Sequence, residues 1–157
     1  MKKVKKIIVS FLLMCMLCVG MTCVASATAA EFRFSDPQTS VGAEVEVTAK
    51  VSSAKALNTI QATLSYDKTK LRFISGDDAT GGDGTITRND ENAGTTMEFN
   101  LKFQALDEGT TSVEVAKVDG IDSNGVALEI TSGSSSVSIA EGDKSLIQEE
   151  DTSSAVD

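Results

Sequence analysis

Alternation of apolar and polar residues constrains the fold of this chain more than any other feature of its sequence. Val45, Val47, Ala49 and Val51 are separated by polar residues, and the same period of two runs from residue 97 to residue 105. Successive side chains of a β-strand point to opposite sides of the sheet, so this pattern predicts strands with one buried and one solvated face. No segment after the first 30 residues has helical periodicity.

Shorter segments of the same kind bring the expected number of strands to about eight or nine. These segments are residues 32–34, 57–66, 71–75, 85–89, 110–118, 125–130 and 135–139. Turn-forming residues lie between them, including Asn92-Ala93-Gly94 and Asn124-Gly125. Short strands at this spacing over about 110 residues predict an all-β fold, an antiparallel β-sandwich of the immunoglobulin or jelly-roll type.

Residues 1–29 have the organisation of a secretory signal peptide. Four lysines among the first six residues precede an apolar run from Ile7 to Val24, and small residues follow. Their small-x-small spacing permits cleavage after Ala27 or after Ala29, and the sequence leaves both open. We therefore expect a secreted, extracellular protein. A retained membrane anchor and a lipid attached to Cys23 are alternatives, which the alanine-rich end and the poor processing site before Cys23 disfavour.

Charge and composition exclude several classes of function for the exported chain. Of 14 basic and 23 acidic residues, four lysines lie in the leader, which leaves 10 basic and 23 acidic residues and a net charge of −13. Such a chain has no basic patch for nucleic acid. The three cysteines also lie in the leader, so we expect no disulfide. Since the chain has no histidine, Ser–His pairs, Cys–His pairs and His-rich zinc sites are excluded, and we expect no enzyme.

The last segment, residues 141–157, differs from the alternating part. Acidic residues lie among Ser, Thr and Gly with few apolar side chains. This composition predicts a disordered acidic tail or linker, and it places the folded domain at residues 30–140. We expect a monomer that meets a membrane only through the signal segment, and whether further domains follow is left open.

Three strings of residues, in this order, resemble a cohesin domain. They are Ser40-Val41-Gly42-Ala43-Glu44-Val45-Glu46-Val47, residues 60–73 with the Tyr66-Asp67 pair before Leu71, and Leu101-Lys102-Phe103-Gln104-Ala105. The loop at residues 122–125 and the closing residues 137–139 follow in family order. The resemblance covers about residues 31–140, and it is the order of the motifs, each of them loose, that carries it.

This resemblance implies a nine-stranded jelly-roll and a non-catalytic function. Cohesins receive a dockerin, a calcium-loaded helical module on a partner protein, in the context of polysaccharide degradation. The calcium is therefore expected on the dockerin, and no cofactor or metal is expected on this chain. The implied partner is a dockerin-bearing secreted or surface protein, with polysaccharide as a further option.

The third strand of the family corresponds to residues 58–66, which gives candidate partner-binding residues. If the apolar residues of this strand point inward, the residues between them face outward. The candidates are Thr59, Gln61, Thr63 and Ser65, with Thr87 and Asn89 as weaker additions and Arg88 nearby. Gln61 stands where many cohesins have an acidic residue. Residues 85–103 are short for the family, so either one strand is missing or one long strand serves two roles.

Two other functions remain as alternatives on the sequence alone. A carbohydrate-binding module would expose aromatic rings, but alternation places Phe73, Phe99 and Phe103 inward. A structural or adhesive cell-surface spacer would need no binding face. Asp77, Asp78 and Asp83 could offer oxygens to calcium, although acidic loops are usually only solvated. Residues 120–131 lack the acidic residues that an EF-hand loop needs at its two ends, so the chain is not itself a dockerin.

Overall fold

The computed structural model describes residues 26–147, which form nine β-strands and one short 3-10 helix. The elements are β1 (Thr28–Phe34), β2 (Gln38–Ser40), β3 (Glu44–Tyr66), β4 (Leu71–Gly76), β5 (Ala79–Gly82), β6 (Thr85–Ala105), β7 (Gly109–Asp122), β8 (Leu128–Ser132), β9 (Ser134–Ala140) and the helix Lys144–Leu146. Most of the predicted signal peptide, residues 1–25, lies outside this range. Within the described range, no helix has both the length and the apolar character needed to cross a membrane.

The strands form one continuous sheet that curls into two layers. The first layer has the order β8, β1, first half of β3, second half of β6 and β4. The second layer has the order β5, first half of β6, second half of β3, β7, β9 and β2. This arrangement confirms the predicted all-β jelly-roll sandwich. Most pairs are antiparallel, but β1 with β8 and β2 with β9 are parallel.

Two long strands, β3 and β6, belong to both layers. Of the two explanations for the short segment 85–103, the structure therefore shows the second, in which one long strand serves two roles. The predicted strands 45–51 and 57–66 are the two halves of β3, and β6 pairs with both halves. The pairing shifts register between Ser52 and Leu57, where both strands pass from one layer to the other. The turn predicted at residues 92–94 is wrong. Gly94 lies inside β6 with a φ of +67°, a backbone conformation that glycine adopts without strain.

The core lies between the layers and consists of the inward residues that alternation predicted. Phe32, Phe99 and Phe103 are at most 1% exposed. Their rings make edge contacts: Phe32 with Phe99 at 6.1 Å between centroids, and Tyr66 with Phe103 at 5.2 Å. Because no described residue is a cysteine, the stability of this part of the chain depends on burial and hydrogen bonding.

Two elements differ from the sequence prediction, β5 because of its composition and β8 because of the loop before it. Strand β5 was not predicted, since its sequence Ala-Thr-Gly-Gly has little apolar character, but it pairs with residues 85–88 of β6. Strand β8 begins at Leu128 and not at Gly125. The residues before it form a loop around Asp122, whose Oδ1 accepts hydrogen bonds from the backbone nitrogens of Asn124 at 2.8 Å and Val126 at 3.0 Å.

The segment after β9 is attached to the sandwich. The Gln104 side-chain nitrogen donates to the carbonyls of Gly42 at 3.0 Å and Leu146 at 2.9 Å. Lys144 Nζ lies 3.1 Å from Asp107 Oδ1. These contacts hold residues 141–147 against the domain, whereas composition alone placed the start of the linker at residue 141. Residues 148–157 of the predicted linker lie outside the described range.

We predict that Phe99→Ala destabilises the domain by about 3–5 kcal/mol, because the ring is buried between the layers and its removal leaves a cavity. Urea unfolding followed by circular dichroism measures the change. Thr96→Ala, at an exposed position of the same strand, serves as the control and should change the free energy of unfolding by less than about 0.5 kcal/mol. A loss below about 1 kcal/mol for Phe99→Ala would contradict this account of the core.

A second prediction concerns stability in acid. Hydrogen bonds from Lys70, at 2.8 Å, and from Lys144 hold the pKa of Asp107 at about 2, below its usual range. A lowered folded-state pKa means that the stabilisation is complete above the unfolded pKa of about 3.9 and is lost as pH falls through about 2. Asp107→Asn should therefore lower the melting temperature at pH 7 and flatten its decline between pH 4 and pH 2.

Thermal melts at a series of pH values check this second prediction. Glu46→Gln makes the same change of charge at an exposed position of β3. If Asp107→Asn and Glu46→Gln give the same melting temperatures across the series, Asp107 does not attach the C-terminal segment as described.

Candidate functional site

The second half of β3 has one side in the core and one side outward, as predicted. Ile60, Ala62 and Leu64 are at most 2% exposed, and Tyr66 is 9% exposed. The side chains that alternate with them lie on the outer surface of the second layer. These are Thr59, Gln61, Thr63 and Ser65.

The sheet register brings the two remaining candidates onto the same surface. In an antiparallel sheet, directly paired residues point to the same side. Thr87 of β6 pairs with Thr63, and Asn89 of β6 pairs with Gln61. All six candidate residues therefore share one outer surface, which we call the β3–β6–β7 face. It comprises the outward-facing side chains within residues 59–65 of β3, 85–91 of β6 and 114–121 of β7.

Strand β7 adds charged neighbours that the sequence analysis did not select. Asp119 pairs with Gln61, Lys117 with Thr63 and Glu114 with Ser65. Lys117 Nζ forms an ion pair with Asp119 Oδ2 at 2.9 Å, and both side chains are exposed. On β6, Glu91 pairs with Thr59. Alternation within one strand cannot identify these neighbours, because they depend on the register between strands.

A shallow cavity of about 580 Å³ lies at one end of the β3–β6–β7 face. Thr59, Gln61, Asn89, Glu91 and Asp119 are among the residues that line it. Its wall thus combines hydroxyl, amide and carboxylate groups with apolar side chains such as Ile121 and Leu128. Such a surface can accept and donate hydrogen bonds to a partner, and its carboxylates favour a partner with basic side chains.

Arg88 lies beneath this face and not on it, which corrects its selection as a nearby candidate. Its side chain is 7% exposed and points into the sandwich. One guanidinium nitrogen donates to Asp90 Oδ2 at 2.8 Å, and another donates to the Asp77 carbonyl oxygen. The guanidinium also lies 4.7 Å from the centre of the Phe99 ring. Arg88 therefore connects the β4–β5 turn to β6 and supports the face from inside.

The aromatic rings and acidic loop residues have structural roles in the described part of the chain. Phe34, Phe73 and the other rings from residue 32 onward are buried or half-buried, so they offer little surface for stacking against sugars. Asp77 Oδ2 accepts a hydrogen bond from the Asn100 backbone nitrogen at 2.9 Å, and Asp83 pairs with Lys68. Among residues 26–147, no three acidic, histidine or cysteine side chains converge on a point where a metal ion could bind.

Solved structures with the same fold are cohesins. A non-cellulosomal cohesin from the archaeon Archaeoglobus fulgidus is 15% identical, with a TM-score of 0.62 over 73% of this chain and 92% of that chain. The sixth cohesin of scaffoldin B from Acetivibrio cellulolyticus, solved in complex with a mutant Cel5 dockerin, is 18% identical, with a TM-score of 0.56 over 73% of this chain and 99% of that chain.

A third solved structure is the cohesin module of a family 33 glycoside hydrolase from Clostridium perfringens. It is 10% identical, with a TM-score of 0.59 over 74% of this chain and 99% of that chain. At these identities the similarity demonstrates the fold alone. A comparison with curated protein sequences found no match.

The family assignment comes from the sequence. The family model for the cohesin domain matches residues 30–148, a span that includes every strand from the third residue of β1 to β9 and the 3-10 helix. The match covers more than half of the chain and agrees with the order of motifs on which the resemblance was based. The chain therefore belongs to the cohesin family.

Proposed function

We propose that this protein is a non-catalytic recognition module that binds a dockerin on a partner protein through the β3–β6–β7 face. Its membership of the cohesin family supports this proposal, as do solved cohesin structures that contain a bound dockerin. The single structural observation that supports this surface is that all six residues selected from the family resemblance lie on one side of the second layer.

The chemistry of this face suits a helical protein partner. Thr59, Thr63 and Thr87 offer hydroxyl groups that donate and accept hydrogen bonds, and Gln61 and Asn89 offer amides that do the same. A docked helix can satisfy these neutral groups without leaving a charge buried and unpaired, which would be costly. Because Gln61 replaces the acidic residue of many cohesins, we expect an amide hydrogen bond at this point of the interface in place of a charge-assisted bond.

The acidic residues at the edge of the face would favour a partner with lysine or arginine beside its binding helix. Glu91, Glu114 and Asp119 lie around the neutral centre, and Lys117 is already paired with Asp119. Charges at the rim of an interface mainly affect the rate of association and its dependence on salt. We therefore place the specificity in the hydroxyl and amide centre and the long-range attraction in the acidic rim.

The proposed setting is extracellular, in the degradation of polysaccharide by enzymes that carry dockerins. The predicted signal peptide supports export, and the acidic charge is compatible with an exposed surface module. In this proposal the chain supplies binding alone, and the reaction belongs to the enzyme attached to the dockerin. The calcium ions belong to the dockerin loops, where they fold the module that is recognised.

We predict that Gln61→Lys combined with Thr63→Arg abolishes partner capture and leaves the melting temperature nearly unchanged. Two long cations would replace neutral groups at the centre of the face, whereas substitutions of outward-facing surface residues usually change stability by less than about 0.5 kcal/mol. The measurement is a pull-down with the immobilised protein from secreted proteins of the organism that encodes it, followed by mass spectrometry for proteins that contain dockerins.

Thr96→Arg combined with Thr131→Lys is the matched control for this double variant. Thr96 pairs with Ser52, Thr131 pairs with Glu31, and Glu31 pairs with Ser52, so both positions lie on the outer side of the first layer. Both are exposed, and the variant adds the same charge. The control should capture the partner as the unmodified protein does. If the Gln61 and Thr63 variant still captures a dockerin protein, the β3–β6–β7 face is the wrong surface.

We also predict that a calcium chelator releases the partner without changing the thermal unfolding of this chain. The calcium in this proposal holds the dockerin together, whereas the described residues present no cluster of metal ligands. Differential scanning calorimetry of the protein alone, and pull-downs with calcium or with chelator, measure the two effects separately. Capture that persists in chelator would contradict this division of roles. So would a melting temperature of the protein alone that is lower in chelator than in calcium.

A further inference from the structure

Asp122, at the end of β7, is a buried carboxylate that accepts a hydrogen bond from the first residue of β1. Its side chain is 0% exposed. Oδ2 accepts a hydrogen bond from the Thr28 hydroxyl at 2.7 Å and lies 3.6 Å from Lys55 Nζ. Oδ1 accepts the two backbone hydrogen bonds of the loop before β8. A carboxylate at this depth is stable only while such partners remain, because an unpaired buried charge is costly.

Thr28 is the first residue of β1 and is fully integrated into the sandwich. It is 4% exposed, and its backbone nitrogen donates to the Ala127 carbonyl at 3.2 Å. It pairs with Leu128, and Ala29 pairs with Glu129, in the parallel ladder between β1 and β8. Ser26 and Ala27 immediately before it are exposed and belong to no strand. The folded domain thus begins at Thr28.

The two cleavage sites that the sequence permits have different consequences for Asp122. Cleavage after Ala27 retains Thr28, its hydroxyl and both ladder pairs. Cleavage after Ala29 removes the hydroxyl that bonds Oδ2 and shortens β1 by its first two residues. Of the two products, only the longer one keeps all the hydrogen bonds of Asp122, because the shorter one lacks the Thr28 hydroxyl.

We propose that the exported protein is processed between Ala27 and Thr28. Thr28 is then the amino-terminal residue, and its hydroxyl keeps its hydrogen bond to the Asp122 carboxylate. A signal peptidase, acting on the Ala25-Ser26-Ala27 sequence, hydrolyses this peptide bond with water. Ala27 leaves as a carboxylate, and Thr28 gains an α-ammonium group. The nitrogen that becomes this ammonium donates a hydrogen bond to the Ala127 carbonyl at 3.2 Å, while the Thr28 hydroxyl donates to Asp122 Oδ2.

The full chain, expressed with its own leader in a bacterium that exports it, tests the cleavage site. Intact mass and amino-terminal sequencing of the mature protein should identify Thr28 as the first residue. A mature protein that begins at Ala30, or that retains residues 1–25, would overturn the proposal. These measurements need no binding partner, so they are independent of the function proposed above.

A variant tests the role of Thr28 in the mature protein. Thr28→Val keeps the shape of the side chain but removes the hydroxyl, so the exported variant should melt at least about 4 °C below the unmodified protein. Thr131→Val, at an exposed position of β8, is the control and should melt within about 1 °C of it. Equal melting temperatures for the two variants would show that the hydrogen bond from Thr28 to Asp122 does not stabilise the mature protein.

Discussion

The pairing of β3 with β6 along both of their halves is the interaction on which the rest of the structure depends. In the first layer the two strands pair from Glu44 with Gln104 to Ser52 with Thr96, and in the second from Leu57 with Gly94 to Ser65 with Thr85. One pair of chain segments therefore sets the register of both layers at once. The other strands add to the edges of this ladder, and the core residues of each layer face those of the other.

This constraint also determines the outer surface of the second layer, where we propose that a partner binds. The middle strand of that surface, residues 57–66, has paired neighbours on both sides, so its backbone groups are used within the sheet and only side chains are offered outward. Buried groups such as Arg88 and Phe99 fix the inner side. The result is a pre-formed array of hydroxyl and amide groups, and a surface that is already ordered loses little conformational entropy on binding.

The period of two predicted the fold class, most strands and the inward or outward direction of each side chain in residues 59–66. Alternation could not predict that residues 44–66 form one strand, because a strand that changes layers interrupts its own pattern at residues 52–57. It also could not predict the partners of Gln61 on β6 and β7, since register between distant segments is set by the whole sandwich. Arg88 was misplaced for a different reason. Alternation with Thr87 and Asn89 places it inward, but its charge suggested solvent, and the structure satisfies that charge inside the sandwich by an ion pair with Asp90.

The resemblance to cohesins added what physical reasoning on the sequence could not supply, namely the choice of one outer surface over the other. The most direct test of that choice is a titration of the isotopically labelled protein with a calcium-loaded dockerin, followed by nuclear magnetic resonance. Chemical-shift changes should be concentrated in residues 59–65, 85–91 and 114–121. Changes concentrated in β1, β4 and β8, on the first layer, would contradict the account.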